Sequence, residues 1–536
     1  MRKKKSFLSG VILLATATII VKLVGFVYRV VLTNIPGYGD EGNGIYGSGF
    51  QVYLLLYALS TTGFPSAIAK LVAETTAKGD WRGAHKIFKV SFWMLFISGI
   101  MISSVFLTFS KHIARMIGNP RAAYTMAAIS PTIFFVSIMA VLRGYFQGLQ
   151  DMTPQAYSQI IEQVAKTVFT LFLALKLLPY GVELSAAGAT FGTTMGAAVG
   201  AVYLCILYKV RKVNIWKNIN RHCRAGYNAS TLSILSKLIK IALPISLGAV
   251  ILTVTNIIDL VKVMTGLSKA GFDYNTANRL YGILTGKCYV LTHFPTSIFA
   301  ALSTGLVPAI AASMAVKNYK SATEKIMLSI KMTILLGVPS SVGMAVMADP
   351  IIKMLFPGSS EGAYLLTISS FTIIFAGLTQ TLSGILQGLG KAVIPALSLL
   401  TGAVIKIAMN YYLVSQPSIN IKGAVYGTMA CYIVSSIICM LALKIKFRLK
   451  LGIIDLIIKP VAASLVMGIC ARYLYVYLMQ NTMNIYISTI CVILSAIIVY
   501  IVELLIMGGI TSKEISVLPF GNNINKRLYR LKLLRR

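Results

Sequence analysis

Lys22 and Arg29 stand inside an apolar block that runs from residue 8 to residue 32. With Gly25 they are spaced i, i+3, i+7, so a helix puts all three on one face. A charged side chain in such a block costs several kcal/mol and therefore faces a bundle interior or a cavity. Two cations on one face suit a phosphate-bearing anion, because the planar fork of Arg binds phosphate oxygens two at a time. The alternative is that Arg29 snorkels to the interface and Lys22 pairs internally. Glu162 and Lys166 form a second charged group within an apolar stretch. Their i, i+4 spacing predicts an ion pair within one helix, either structural or part of a site for a coupling ion. Asn256 and Asp259 close one predicted span, Lys262 follows one turn on, and Arg279 and Lys287 precede or open the next. These groups either line the outer half of a cavity or meet water in a loop.

Other chemistry has little to stand on. The seven cysteines contain no CxxC pair and mostly sit in apolar blocks, which predicts small buried core residues. Four scattered histidines have no metal-ligand spacing, and no phosphate-binding GxxxxGK[ST] loop occurs. No metal and no cofactor is expected. One GxSxG, Gly358 to Gly362, follows Pro357 in a short connection. It lacks the strand–turn–helix setting of a nucleophile elbow and reads as a loop turn.

The elements that must position these residues are membrane helices. Of the 536 residues, 57% are hydrophobic and only 12% charged, against roughly 25% charged in a soluble domain. The apolar residues come in runs of about 20, enough to cross the hydrocarbon core. They show no period-two alternation, which excludes a membrane barrel and leaves helices. The expected fold is all-α, a polytopic membrane bundle of about 14 transmembrane helices. Spans are placed near 8–32, 46–70, 87–109, 122–147, 155–178, 185–208, 235–259, 281–312, 326–347, 363–387, 392–415, 422–444, 454–478 and 484–508. The opening Arg2-Lys-Lys-Lys5 resembles a secretory signal, but the apolar run behind it is too long, and it reads as an uncleaved first span.

Basic residues crowd the N-terminus, 209–240, 444–459 and the tail 511–536, all on one side of such a bundle. The positive-inside rule then makes both termini cytoplasmic. Two connections disobey, one with Lys111, Arg115 and Arg121 and the other at 259–287. Either the spans slip there or those cations line an internal cavity. Part of the +35 net charge follows from this topology, since cytoplasmic cations adjoin anionic headgroups. The cations form no separate domain, so nucleic acid is not an expected partner.

The chain repeats itself at about 240 residues. Gly144-Tyr-Phe-Gln147-Gly148 matches Gly384-Ile-Leu-Gln387-Gly388, Lys166 matches Lys406, and Gly188-Ala189-x-x-Gly192-Thr193 matches Gly423-Ala424-x-x-Gly427-Thr428. Gly402 stands where the first half has Glu162. Ala58-Leu-Ser-Thr-Thr-Gly63-Phe-Pro65 echoes Ala301-Leu-Ser-Thr-Gly305-Leu-Val-Pro308, so Gly63/Pro65 and Gly305/Pro308 are candidate hinges, or else helix-packing positions. A parallel repeat of this kind predicts two six-helix lobes related about the membrane normal, with a substrate site between them. The expected domains are a lobe at 1–220, a lobe at 221–450, two extra helices at 451–510 without a counterpart, and a basic cytoplasmic tail at 511–536.

Leu23-Val-Gly25-Phe-Val-Tyr28-Arg29, Gly42-Asn-Gly44-Ile-Tyr46-Gly47, Leu59-Ser-Thr-Thr-Gly63-Phe-Pro65 with its continuation to Glu74, Arg143-Gly144-Tyr-Phe-Gln147-Gly148 and Met152-Thr-Pro154 together resemble one family. It is the stage V sporulation protein B-like and lipid II flippase-like branch of the multidrug/oligosaccharidyl-lipid/polysaccharide exporter superfamily. The resemblance extends over the whole chain. It implies a two-lobe bundle working by alternating access, with a cationic cavity and a groove for the lipid tail at the last two spans. The expected function is a flippase for an undecaprenyl-diphosphate-linked sugar, such as a peptidoglycan precursor, in the bacterial cytoplasmic membrane. Expected partners are that lipid-linked oligosaccharide, membrane lipids, and a coupling ion or the membrane potential. Arg29, Lys22, Asp259, Arg279 and Lys287 are the candidate substrate-binding residues. A cation-coupled drug antiporter of the same superfamily needs buried acids, whereas the intramembrane charges here are mostly basic. A membrane glycosyltransferase or ligase needs a carboxylate or metal near a large outer loop, and the outer connections are short.

Overall fold

The computed structural model describes residues 7–61, 63–221, 230–315, 317–447, 452, 454–482 and 484–509. The basic N-terminal segment and the basic tail 511–536 lie outside the described residues. Every regular element among the described residues is helical.

Contacts divide the chain into two compact units, Met1–Gly286 and Lys287–Arg536. Unit 1 holds α1 (Phe7–Thr33), α2 (Gly39–Thr61), α3 (Gly63–Ala77), α4 (Trp81–Met116), α5 (Ala123–Ile129), α6 (Thr132–Gly148), α7 (Thr153–Leu177), α8 (Val182–Arg221), α9 (Thr231–Lys269) and α10 (Tyr274–Ile283). Unit 2 holds α11 (Tyr289–Ala315), α12 (Tyr319–Val346), α13 (Ala348–Leu355), α14 (Ala363–Ser370), α15 (Thr372–Gly388), α16 (Val393–Leu413), α17 (Lys422–Phe447), α18 (Lys459–Thr482) and α19 (Ile485–Ile506). A π-helical turn, Leu284–Cys288, joins α10 to α11.

Among the described residues, eleven helices are long and apolar enough to span a membrane. The long helices α7, α9 and α11 lie outside those eleven, and 14 spans are not established by these lengths and hydropathies. Two expected spans are each built from two helices, α5 with α6 and α14 with α15. Two expected connections hold short helices, α10 and α13. Polar residues mark where helices begin. The Asp80 carboxylate accepts from Gly83 N at 2.8 Å at the start of α4, and the Asn484 side chain accepts from Tyr486 N at 3.0 Å at the start of α19. Each satisfies an orphan donor of a first turn.

α9 runs ten residues beyond the expected end of a span at 259, to Lys269. Lys262 and Lys269 end the apolar run without opposing helix formation, because Lys is a good helix former. The same reason carries Lys111 and Arg115 inside α4. By sequence repeat α9 and α10 belong to the second half, but by packing they belong to unit 1, where α9 lies against α2, α3 and α4.

The repeat is visible as repeated close contacts. A Cβ on Gly144 would sit 2.8 Å from Pro65 O, and one on Gly384 would sit 2.8 Å from Ser303 O. A Cβ on Gly148 would lie 2.9 Å from Ala69 O, and one on Gly388 2.8 Å from Val307 O. Glycine lets α6 approach α3 in unit 1 and α15 approach α11 in unit 2. These contacts equate Pro65 with Ser303 and Ala69 with Val307. The expected equivalence of Gly63/Pro65 with Gly305/Pro308 therefore slips by four residues at the glycine and five at the proline. Unit 2 buries Ile330, Ile334, Leu382 and Ile385 in its main core. The last two helices add a satellite core, in which Leu335 meets Ala463, Met467, Tyr500 and Leu504, and Tyr500 Oη donates to Leu335 O at 2.8 Å.

Candidate functional site

α1 packs along α7, with α2 beside it. A Cβ on Gly25 would lie 3.6 Å from Gln163 Nε2, so the small face of α1 looks at α7. One turn further, the Arg29 guanidinium lies over the Tyr46 ring of α2, 4.3 Å from its centroid. Lys166 of α7 comes in from the other side. Its Nζ is 4.9 Å from the Phe50 centroid and 5.5 Å from that of Tyr28. The Tyr28 and Tyr46 hydroxyls, 3.5 Å apart, bridge the two.

This is a positive site with aromatic walls. Neither Arg29 nor Lys166 has an ion-pair partner among the described residues, and Arg29 Nη1 and Gln163 Nε2 are buried donors with no acceptor. Aromatic faces return up to about 2 kcal/mol per desolvated cation. That falls short of the several kcal/mol it costs to take an ion out of water. The donors that remain have no acceptor among the described residues.

The expected Glu162–Lys166 pair is corrected. Glu162 Oε2 accepts from Arg143 Nη2 at 2.7 Å, across from α6 to α7. Arg143 Nε also donates to Ser158 Oγ at 2.9 Å. A guanidinium held at two atoms outcompetes a lysine on the carboxylate's own helix. In the second half Ser383 and Gly402 stand where Arg143 and Glu162 do, so both partners are replaced together.

The other candidates are dispersed. Lys22 is exposed on α1, two turns before Arg29. Asp259 is buried within α9 and Arg279 is exposed on α10, away from a chain end. Lys287 neither meets water nor lines a cavity. It is fully buried, and its ammonium donates to Ser359 O at 2.8 Å, Ser359 Oγ at 3.0 Å and Glu361 O at 3.3 Å. The GxSxG segment is thus the cradle of a structural lysine. Arg121 is also structural: it contacts Glu41 at 2.6 Å and Glu183 at 2.7 Å and donates to Asn275 at 2.9 Å. Gly63 opens the described part of α3, where a Cβ would sit 2.1 Å from Ala242 O, and Pro65 borders a polar cavity. Gly305 and Pro308 lie within the continuous backbone of α11.

Tyr46, Phe50, Gln163 and Arg143 had no assigned role in the sequence. One signal was present. Gln155, Gln159, Glu162, Gln163 and Lys166 recur at i, i+4, i+7, i+8 and i+11, a polar stripe along α7.

Comparison with known proteins agrees with this architecture. The chain matches the family described as polysaccharide biosynthesis protein over residues 7–299 and the MatE family over residues 288–412. It is 31% identical to Stage V sporulation protein B of Bacillus subtilis (strain 168), covering 78% of this chain and 80% of that protein. It is 28% identical to Lipid II flippase MurJ of the same organism, covering 80% of each. A solved structure of Lipid II flippase MurJ in an inward closed conformation superposes with a TM-score of 0.67, with 17% identity over 92% of this chain and 98% of the other.

Proposed function

The chain belongs to the polysaccharide biosynthesis protein family, within a superfamily of multi-pass membrane flippases and transporters, and from that premise we propose that it moves an undecaprenyl-diphosphate-linked sugar across the cytoplasmic membrane. It is a transporter and not an enzyme. The observation that carries the substrate class is the pair Arg29 and Lys166. Two cations without carboxylates, beside buried unpartnered donors, suit a diphosphate. A drug-cation antiporter needs a free acid in the same place, and Glu162 is held by Arg143. Alternating access then carries the headgroup past the bilayer centre while the prenyl chain stays in lipid.

Purified protein in liposomes loaded with an undecaprenyl-diphosphate disaccharide tests this reading. Protein-dependent exposure of the sugar to an impermeant lectin is the expected result. No exposure, together with ethidium efflux driven by a proton or sodium gradient, sinks the reading in favour of the antiporter that the MatE match keeps in view.

The four basic segments on one side support cytoplasmic termini. In intact spheroplasts, Lys4→Cys and Arg530→Cys variants are expected to resist an impermeant maleimide until the membrane is opened. Ready labelling of either from outside contradicts this orientation.

A further inference from the structure

We infer that a second, neutral cavity in unit 1 is a subsite for one uncharged sugar ring of the transported lipid; this rests on the function proposed above. The cavity has a volume of roughly 280 Å³. Tyr57 of α2, Ser66 of α3, Arg143 and Gln147 of α6, and Gln155 and Gln159 of α7 line it. At about 30 Å³ per water, it holds about nine water molecules, and it lies just under the roughly 300 Å³ at which sites for drug-sized ligands begin. One ring fits, and an oligosaccharide chain does not.

The lining chemistry selects the ligand. Arg143 is neutralised by Glu162 at 2.7 Å, so the cavity offers a phosphate less than the uncompensated Arg29 and Lys166 do. It also offers a cation no free acid. It does offer three primary amides, each with two N–H donors and a carbonyl acceptor. Sugar hydroxyls both donate and accept, and adjacent hydroxyls match a planar amide. Gln155 Oε1 is a buried acceptor with no partner, which a hydroxyl would satisfy. The Tyr57 ring adds an apolar wall of the kind a sugar face can cover.

Spacing ties this cavity to the cation site. Gln159 and Gln155 precede Lys166 by seven and eleven residues on one face of α7. At about 1.5 Å per residue they lie roughly 10 and 16 Å along the helix axis. A ring attached to a diphosphate at Lys166, or the ring after it, reaches that depth.

The repeat supplies an independent argument. Ser158 and Lys166 keep their counterparts as Ser398 and Lys406, but Pro395 and Leu399 stand where Gln155 and Gln159 do. Of the three amides only Gln147 recurs, as Gln387; the fold is built twice and the pair Gln155 and Gln159 once, so helix packing does not demand that pair.

The test measures binding to the full-length protein in nanodiscs with two probes. One is undecaprenyl diphosphate, and the other is the same lipid carrying a single N-acetylglucosamine. Wild type is expected to bind the sugar-bearing lipid about tenfold more tightly. The Gln155→Ala/Gln159→Ala variant is expected to bring that ratio to about one, with unchanged affinity for the bare lipid and an unchanged Tm. Gln159→Leu, which keeps the side-chain bulk, is expected to cut the ratio about threefold and guards against a folding defect in the double variant. A ratio kept by both variants, or equal weakening of both lipids, overturns the subsite. So does a wild-type ratio of one with the bare lipid still bound, which leaves the diphosphate reading standing. Wild-type failure to bind either lipid overturns that reading, and the subsite with it.

Discussion

Arg29→Ala is expected to abolish translocation of the lipid-linked sugar while the protein remains folded in the membrane. The guanidinium lies 4.3 Å from the Tyr46 ring centroid and keeps a buried Nη1 without an acceptor. A ligand phosphate would take that donor. Each hydrogen bond to a charged group contributes about 1.5–3 kcal/mol, and 1.4 kcal/mol is a factor of ten. Loss of a two-pronged contact therefore weakens substrate binding by at least roughly a hundredfold. Arg29→Lys is expected to recover only part, because an ammonium is a point charge without the planar fork. Lys22→Ala should matter less, since Lys22 is exposed and Arg29 and Lys166 remain. Lys22→Glu should be worse than Lys22→Ala, because it sets a like charge against the ligand. A purely structural Arg29 predicts a different pattern, in which activity falls in step with thermal stability. Translocation and Tm must therefore be measured on the same variants. Full transport by Arg29→Ala, or loss only through unfolding, removes this residue from the site.

The difference between Arg29 and Glu162 shows what a sequence can reveal here. Arg29 was legible as a candidate because a cation in an apolar block is expensive wherever the chain goes. The partner of Glu162 was not. Arg143 lies on another helix, and the i, i+4 neighbour was the only partner that spacing could offer. The two-fold repeat was legible for a steric reason. Gly144 and Gly148 meet the backbone of α3 as Gly384 and Gly388 meet that of α11, and no larger residue fits those contacts. The prolines misled because Ala-, Ser- and Gly-rich stretches align in several registers. Only backbone contacts separate a match at Pro308 from the equivalence at Ser303. The length of α9 was hidden for the opposite reason. Hydropathy reports where a helix leaves lipid, not where it ends, and Lys262 and Lys269 continue the helix beyond its apolar part.

Lys287→Met is expected to cost stability first, and transport only as a consequence. Lys287 was a candidate ligand for the substrate, yet its ammonium is fully buried and already occupied by two carbonyls and a hydroxyl of the 359–361 segment. Phe356 closes the other side, with its centroid 5.6 Å from Nζ. Methionine fills much of the same volume, so a large cavity is not the cause of the loss. The cause is three acceptors deprived of their donor in a site that excludes water. Leaving one buried polar group unsatisfied costs about 1–3 kcal/mol. With partial relaxation of the loop, a total of about 2–5 kcal/mol follows, which is large against a marginal folding free energy. Lys287→Arg should also destabilise, because a fork with five donors does not fit a pocket shaped for a compact ammonium. The π-helical turn at Leu284–Cys288 delivers Lys287 to this cradle. The measurement is thermal unfolding beside lipid binding to the fraction that remains folded. A substrate-binding role predicts unchanged Tm with weakened binding. The structural role predicts a lowered Tm with normal affinity in the folded fraction, and the opposite result would return Lys287 to the ligand's path.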